Sequence, residues 1–301
     1  MRIRYLGDRE GDPAFFDMAV RFRPPGVRWY GPLRMGDRAA AHVLVGEWRK
    51  VNPGRRLVVY VDERLPGSDF GPGLPPDWLF GGMVDEIREA EVFEESLGSP
   101  VGERILTRDL WAHWAFLYRR SSFVPAIRPE KWSLDSARRI LAERGVGGRF
   151  AVVHPLFDAQ YDVYRNESPS WWGEFFRKLA KDTVTVVIGR RENAAAWSSS
   201  DLSGVVSLMQ DDLSPMESLA VISMAGAYAG GATGMTIWAP LFGIPALALY
   251  RSWSPHSPGI DVRPRSFGGP VVRGNLGADT GETAELVLSL ASGRLKESTP
   301  W

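Results

Sequence analysis

The chain has 301 residues, long enough for two domains of roughly 150 each, and its 44% hydrophobic and 24% charged residues exclude wholesale disorder. Lysine plus arginine equals aspartate plus glutamate at 36 each, so no global field favours nucleic acid or an anionic membrane as partner. Cysteine is absent, which removes disulfides, thiolate nucleophiles and cysteine-based metal sites together.

The start, MRIRYLGDREGD, carries charge where a signal peptide would need an apolar core. No run approaches the roughly 18 apolar residues of a membrane span. The expected location is therefore cytoplasmic, with no membrane span.

In the first half, VRWYG (Val27 to Gly31) reads as a strand and MGDRAAAHVLVGEWRKV (Met35 to Val51) as a helix stopped by Asn-Pro-Gly. RRLVVYVDE is a further strand, and the Pro- and Gly-rich stretch from Pro66 to Pro76 is a loop. VPAIRPEKW (Val124 to Trp132) has two prolines in an extended stretch and precedes a helix capped at Ser133. It is the expected linker, dividing the chain into domains 1–128 and 129–301.

The second half alternates more regularly. RFAVVHP (Arg149 to Pro155) is a buried strand by its apolar, β-branched run. A helix follows with Ser170 as its expected N-cap and Trp171, Phe175 and Leu179 at helical spacing. TVTVVIG and GVVSLMQ are two more strands. LSPMESLAVISMAG has Ser214 as cap, Pro215 at the first helical position and Glu217 at the third, the capping-box arrangement. AYAGG is a fourth strand, then GGATGMTIWAPLFGIP leads to a fifth, ALALY. Pro240 is expected to fit only if the helix between them starts late, near Thr236, so that its missing N–H falls near the first turn. Strand and helix alternating at this interval predict parallel sheets with helices on both faces.

In such sheets ligands sit beyond the carboxyl ends of the strands, where glycines turn the chain and helix N-termini offer free N–H groups. Gly230, Gly231 and Gly234 occupy such a strand-to-helix turn. It reads as a pyrophosphate seat or as a turn that needs small residues only for packing. Gly145 to Gly148 precede a strand, so they read as a helix C-cap and turn and not as a dinucleotide fingerprint. The four histidines show no metal spacing, and His154, at a strand end, is the one expected to touch ligand. Asp37, in a Gly-Asp pair at a loop-to-helix junction, reads either as an N-cap or as a general base. Of the twelve tryptophans, the pairs Trp111/Trp114 and Trp171/Trp172 read as core or as flat surfaces for a sugar.

The order MGDRAAAHVLVGEWRKVNPGRRLVVYV, AVVHP, SWWGEFFRKLA, TVVIGRRE and LSPMESLAVISMAGAYAGGATGMTIWAPLFGIPALALY resembles glycosyltransferase family 9, the lipopolysaccharide heptosyltransferase-like enzymes. The likeness spans roughly Met35 to Val61 and most of Arg149 to Tyr250. It implies an α/β chain of the GT-B fold, two Rossmann-like doubly wound domains facing a cleft. It also implies an inverting, metal-independent transfer from a nucleoside-diphosphate sugar to a small-molecule or lipid-linked acceptor, without a cofactor. By the same resemblance Asp37 is the base, and Gly231, Thr233, Gly234 and Thr236 hold the donor pyrophosphate. Glu192 falls near the donor's ribose and Met209 near its base. The family's Asp-Thr-Gly reads Ala232-Thr233-Gly234 here, and its histidine three residues beyond that glycine reads Ile237. Its lysine before the second domain's tryptophan reads Pro169, which leaves Arg165 or Arg190 to neutralise phosphate. A changed donor sugar accounts for these departures, and so does lost catalysis. A nucleotide-sugar epimerase of the same architecture and a non-catalytic nucleotide- or carbohydrate-binding protein are the alternatives.

Overall fold

The computed structural model describes residues 26–30, parts of 38–54, 58–61, 74–89, 104–106, 127–156, 167–191, 202–231, 233–250 and 271–294. The chain divides into two compact units, Met1–Pro125 and Ala126–Trp301. Asp37, Arg165 and Glu192, with Trp111, Trp114 and Ala232, lie outside the described residues.

In the first unit, strands β1 (Gly26–Tyr30), β2 (Val58–Val61), β3 (Glu86–Glu89) and β4 (Arg104–Leu106) form a parallel sheet in the order β3-β2-β1-β4. The described positions between Arg38 and Lys50 are helical, as the pattern predicts. Pro76, expected as the end of a loop, instead opens the short helix α1 (Pro76–Phe80). Proline suits a helix's first position because its missing N–H has no partner there in any case.

The second unit holds a six-stranded parallel sheet of β5 (Phe150–His154), β6 (Val184–Val187), β7 (Val205–Ser207), β8 (Ala227–Gly231), β9 (Ala246–Tyr250) and β10 (Val271–Asn275). Their order is β10-β9-β8-β5-β6-β7, which is the doubly wound order of a dinucleotide-binding domain. The helices are α2 (Lys131–Glu143), α3 (Pro169–Leu179), α4 (Pro215–Ser223), α5 (Gly234–Leu241) and α6 (Thr280–Ala291). The sequence reading covered neither β10 nor α6.

Alternation along the strands sorts side chains between two layers. Ala151, Val153, Val187, Ala229, Leu247 and Leu249 face a core shared with Trp172, Phe175, Phe176 and Leu179 of α3 and Val287 and Leu290 of α6. Each of these apolar side chains stabilises the fold by roughly 1.5–3 kcal/mol for the larger ones. The tryptophan pair settles into this layer: Trp172 is fully buried, while Trp171 donates from Nε1 to Ala278 O at 2.8 Å. Tyr228 points to the other layer, where α5 packs on β8 and β9, α4 on α5, and α2 on α4.

The caps decide where helices begin. The capping box at Ser214 is complete: its hydroxyl accepts from Glu217 N, and the Glu217 carboxylate accepts from Ser214 N at 2.9 Å. Ser168, and not Ser170, caps α3, accepting from Trp171 N with Pro169 at the first helical position. That register lets the proline stand where no N–H is needed. Helix α2 begins at Lys131, ahead of the expected Ser133 cap, and the Ser133 hydroxyl instead donates back to Glu130 O. Gly145 and Gly148 close α2 as the sequence suggests, at φ 71° and 78°.

Helix α5 overturns one expectation. It begins at Gly234, so Pro240 lies inside it and not in its first turn. The short helix tolerates this because it ends one residue later, and the missing N–H forfeits only the bond to the Thr236 carbonyl.

These assignments predict unequal mutational costs. Phe175→Ala, fully buried between α3 and the sheet, should cost about 3–5 kcal/mol. Ser214→Ala, which removes one half of a partly exposed cap, should cost about 1 kcal/mol. Urea unfolding measures both, and comparable losses would contradict the packing described.

Candidate active site

The doubly wound order places β5 and β8 side by side, with β6 and β7 wound to one side and β9 and β10 to the other. At this switch point His154, the last residue of β5, and Gly230, the last but one of β8, are register partners. Both lie on the α5 side of the sheet, with Val152 and Tyr228 two residues below them.

Gly230 is required here by Tyr228. A Cβ at Gly230 would sit 2.6 Å from the Tyr228 hydroxyl and 3.1 Å from His154 O, so the phenol occupies the space that any other residue would fill. The Tyr228 Oη lies 3.3 Å from Thr236 Oγ1, and the Thr236 hydroxyl donates to Gly231 O at 2.6 Å. Thr236 is only 2% exposed, so its hydroxyl braces the turn from beneath. Burial holds the Tyr228 phenol well above its ordinary range, and the phenol stays protonated.

Above this layer Thr233 stands at the N-cap of α5, yet its side chain makes no capping bond. Its Oγ1 turns instead to Nδ1 of His154 at 3.1 Å. The turn uses part of its own backbone: Thr233 N donates to Gly231 O at 2.7 Å and Thr236 N to Thr233 O at 3.2 Å. Among the described residues, Gly234 N and Met235 N donate to nothing, so these are the two N–H groups at the helix's positive end.

His154 is half-buried in solvent terms but enclosed by packed groups. That enclosure lowers its imidazole to about 4, with the nearby Arg190 charge as a second cause, so the ring is neutral near pH 7. Its Nε2 makes no hydrogen bond among the described residues. The ring's Cδ2 edge and the Met209 methyl meet over Gly189, where a Cβ would lie 2.9 Å from Met209 Cε and 3.7 Å from His154 Cδ2. Met209 itself is buried, in the turn that follows β7. Arg191 ties the β6 and β7 turns together through Asp212 at 2.8 Å.

Of the residues singled out from sequence, the structure therefore brings together His154, Arg190, Met209, Gly231, Thr233, Gly234 and Thr236 at the carboxyl end of one sheet. Ile237, where the resembled family has histidine, is 6% exposed within α5. Tyr228 and Gly189 were missed. A lone tyrosine among small residues in AYAGG was the available signal for Tyr228. Among the described residues no cluster of three or more His, Asp or Glu could hold a metal ion, and no helix is long and apolar enough to cross a membrane.

In the first unit, the helix that follows Asp37 is pinned by three side chains. Arg38 Nη1 donates to Leu74 O at 2.6 Å, His42 Nδ1 to Leu79 O at 2.6 Å, and Arg49 Nε to Met83 O at 2.7 Å. Burial lowers the His42 pKa, so Nδ1 carries the proton of a neutral ring.

The strand order and the switch-point turn define a doubly wound α/β fold. No protein-family model matches the chain, and no curated protein is significantly similar to it in sequence. Solved structures share its fold at low identity. A glycosyltransferase of family 9 from Veillonella parvula is similar at 10% identity over 89% of this chain and 96% of that one, with TM-score 0.59. The ADP-heptose lipopolysaccharide heptosyltransferase II of E. coli is similar at 13% identity over 89% and 99%, with TM-score 0.58.

Two outcomes are expected from this geometry. Gly230→Ala should cost about 1–3 kcal/mol by driving a methyl group into the Tyr228 hydroxyl, and Tyr228→Phe should relieve part of that cost in the double variant. Additive losses in unfolding experiments would mean the two residues do not meet.

The second outcome concerns pH. His154 is depressed to about 4 when folded. The unfolded chain, near 6.5, binds the proton first as pH falls, so stability present above that value is lost between about pH 6.5 and 4. From pH 7 to 5 wild type should lose about 2 kcal/mol more than His154→Gln, which lacks the titration. Equal losses would contradict the assignment.

Proposed function

We propose that the chain is an inverting, metal-independent glycosyltransferase that moves a sugar from a nucleoside-diphosphate sugar to the hydroxyl of a small-molecule or lipid-linked acceptor. The observation that carries this reading is the switch point of the second unit. A Gly-Ala-Thr-Gly sequence, a helix N-terminus with two N–H groups unused among the described residues, and His154 converge there, within a fold shared with a family 9 glycosyltransferase. An anion is favoured at such a terminus by the aligned peptide dipoles.

In this reading the donor diphosphate lies against Gly234 N and Met235 N, with Thr233 and His154 beside it. Arg190, next to the same strand end, supplies positive charge, and an arginine fork suits two phosphate oxygens at once. Arg165 is the other candidate for that task. Met209 borders the base, and Glu192 the ribose. Asp37 takes the proton from the acceptor hydroxyl, whose oxygen attacks the anomeric carbon from the face opposite the diphosphate. The bond from that carbon to the phosphate oxygen breaks, and its electron pair leaves with the nucleoside diphosphate. Inversion follows from a single displacement. The domain division at 128/129 belongs to the same proposal, with the acceptor side in the first domain and the donor side in the second.

A non-catalytic binding protein is the second reading, favoured by Ile237. A buried aliphatic side chain stands where the family places a histidine, so the donor side has lost a polar group. Incubation with a panel of nucleotide sugars and acceptors separates the readings. Acceptor-dependent release of nucleoside diphosphate supports transfer, interconverted nucleotide sugars mean epimerisation, and binding without turnover leaves the binding module.

Asp37→Asn tests the base. Asparagine caps a helix about as well as aspartate but accepts no proton, so turnover should fall on the order of 100- to 10,000-fold with donor affinity nearly unchanged. Turnover within about threefold of wild type would reject the catalytic role.

A further inference from the structure

The switch-point residues go further than holding an anion. We propose that His154 takes up a proton when a diphosphate arrives, so that the site's charge is created by its own ligand and also meets the charge that develops on the leaving group. This rests on the reading of the switch point as a diphosphate site.

The argument begins with what His154 touches. Nδ1 is committed to the Thr233 hydroxyl at 3.1 Å, and Nε2 has no partner among the described residues. A neutral ring has one N–H and one lone pair, so it and Thr233 together present limited donor capacity. A protonated ring has two N–H groups. Nδ1–H must then donate to Thr233 Oγ1, which obliges the threonine's own hydrogen to turn away. Nε2–H and the Thr233 O–H become donors to two phosphate oxygens together. One proton enters from solvent, no bond to carbon changes, and the net gain is one positive charge.

The surroundings keep that charge off until a ligand comes. Facing His154 are Arg190 after β6, a cation that opposes protonation, and Tyr228 of β8, a neutral phenol that meets the hydroxyls of both Thr236 and Thr233. From the β7 turn comes Met209, uncharged, while Asp211 and Asp212 of that turn are held by Arg144 and Arg191. Among the described residues no carboxylate is bonded to the ring. A single anionic charge at about 4 Å in partly shielded surroundings raises an imidazole's pKa by roughly three, and a diphosphate diester brings two. An imidazole raised from about 4 would reach the neutral range on binding. The imidazolium would then lie beside the oxygens that gain charge as the sugar departs, where a preoriented cation is most effective.

The test uses nucleotide sugars and not free nucleoside diphosphates, because a pyrophosphate diester has no group of its own that titrates near neutrality. ADP-glucose, UDP-glucose and GDP-mannose are titrated into the full-length protein by calorimetry in two buffers of different ionisation heat. For any of them that binds, wild type should take up about half to one proton per ligand near pH 6. Its affinity should rise about tenfold per pH unit as pH falls from roughly 6.5 to 5. His154→Gln should bind with no uptake and a flat profile. Binding without uptake by wild type overturns the proton device and leaves the transferase reading standing, as does uptake that survives in His154→Gln. Failure of all three to bind overturns both.

Discussion

Everything in the second unit follows from one constraint: β5 and β8 are parallel neighbours although two strands, β6 and β7, separate them along the chain. The sheet grows outward from this pair, through β6 and β7 on one side and β9 and β10 on the other. The helices that follow β5 and β8, α3 and α5, lie on opposite faces of the sheet, and the gap opens between the two strand ends. The register His154 to Gly230 sets which side chains border that gap. A slip of one residue would send His154 into the α3 layer, where Val153 now packs, and would remove the imidazole from Thr233.

Space and polarity at the gap are coupled. The absence of a side chain at Gly230 admits the Tyr228 hydroxyl, which reaches Thr236, which in turn holds the Gly231 carbonyl. The turn is thus anchored from below by a phenol and a hydroxyl with almost no exposure. Because Thr236 spends its hydroxyl on the backbone, the polarity left at the gap falls, among the described residues, to Thr233, His154 and the N–H groups of Gly234 and Met235. That is a smaller donor set than four consecutive N–H groups would provide, and it raises the importance of side-chain charge.

Much of this was legible. Short apolar runs located β5, β6, β8 and β9, because strands buried on both faces need no alternation. Ser214-Pro215-Glu217 located α4 through capping chemistry alone. The failures have physical causes. Ser170 and Ser133 are good caps in isolation, but the cap is chosen by where the whole helix packs, and Ser168 leaves Pro169 at the position it suits. Pro240 misled because a helix ending one residue later forfeits only one bond. VVRGN and the helix after it were passed over because arginine, glycine and asparagine weaken an edge-strand signal. Gly230 reads from sequence as serving either a ligand or packing, and its structural demand comes from Tyr228, a contact between residues two apart that only the strand's geometry reveals.

The first unit offers a parallel argument about precision. Arg38, His42, Val45 and Arg49 stand at spacings of four, three and four, one stripe along a helix at about 100° per residue. Three of the four hold carbonyls of the 74–83 segment at 2.6 to 2.7 Å, and Val45 is 1% exposed between them. A rotation by one residue would break all three bonds and expose the valine, so the helix has a single register against that segment. Asp37 directly precedes the first anchor, Arg38. Under the proposed reading of Asp37 as the base, it must stand within hydrogen-bond reach of the proton it removes, and displacement of about 1 Å can cost on the order of 100-fold in rate. Polar anchors to main-chain carbonyls serve this purpose better than apolar packing, because they fix rotation as well as depth.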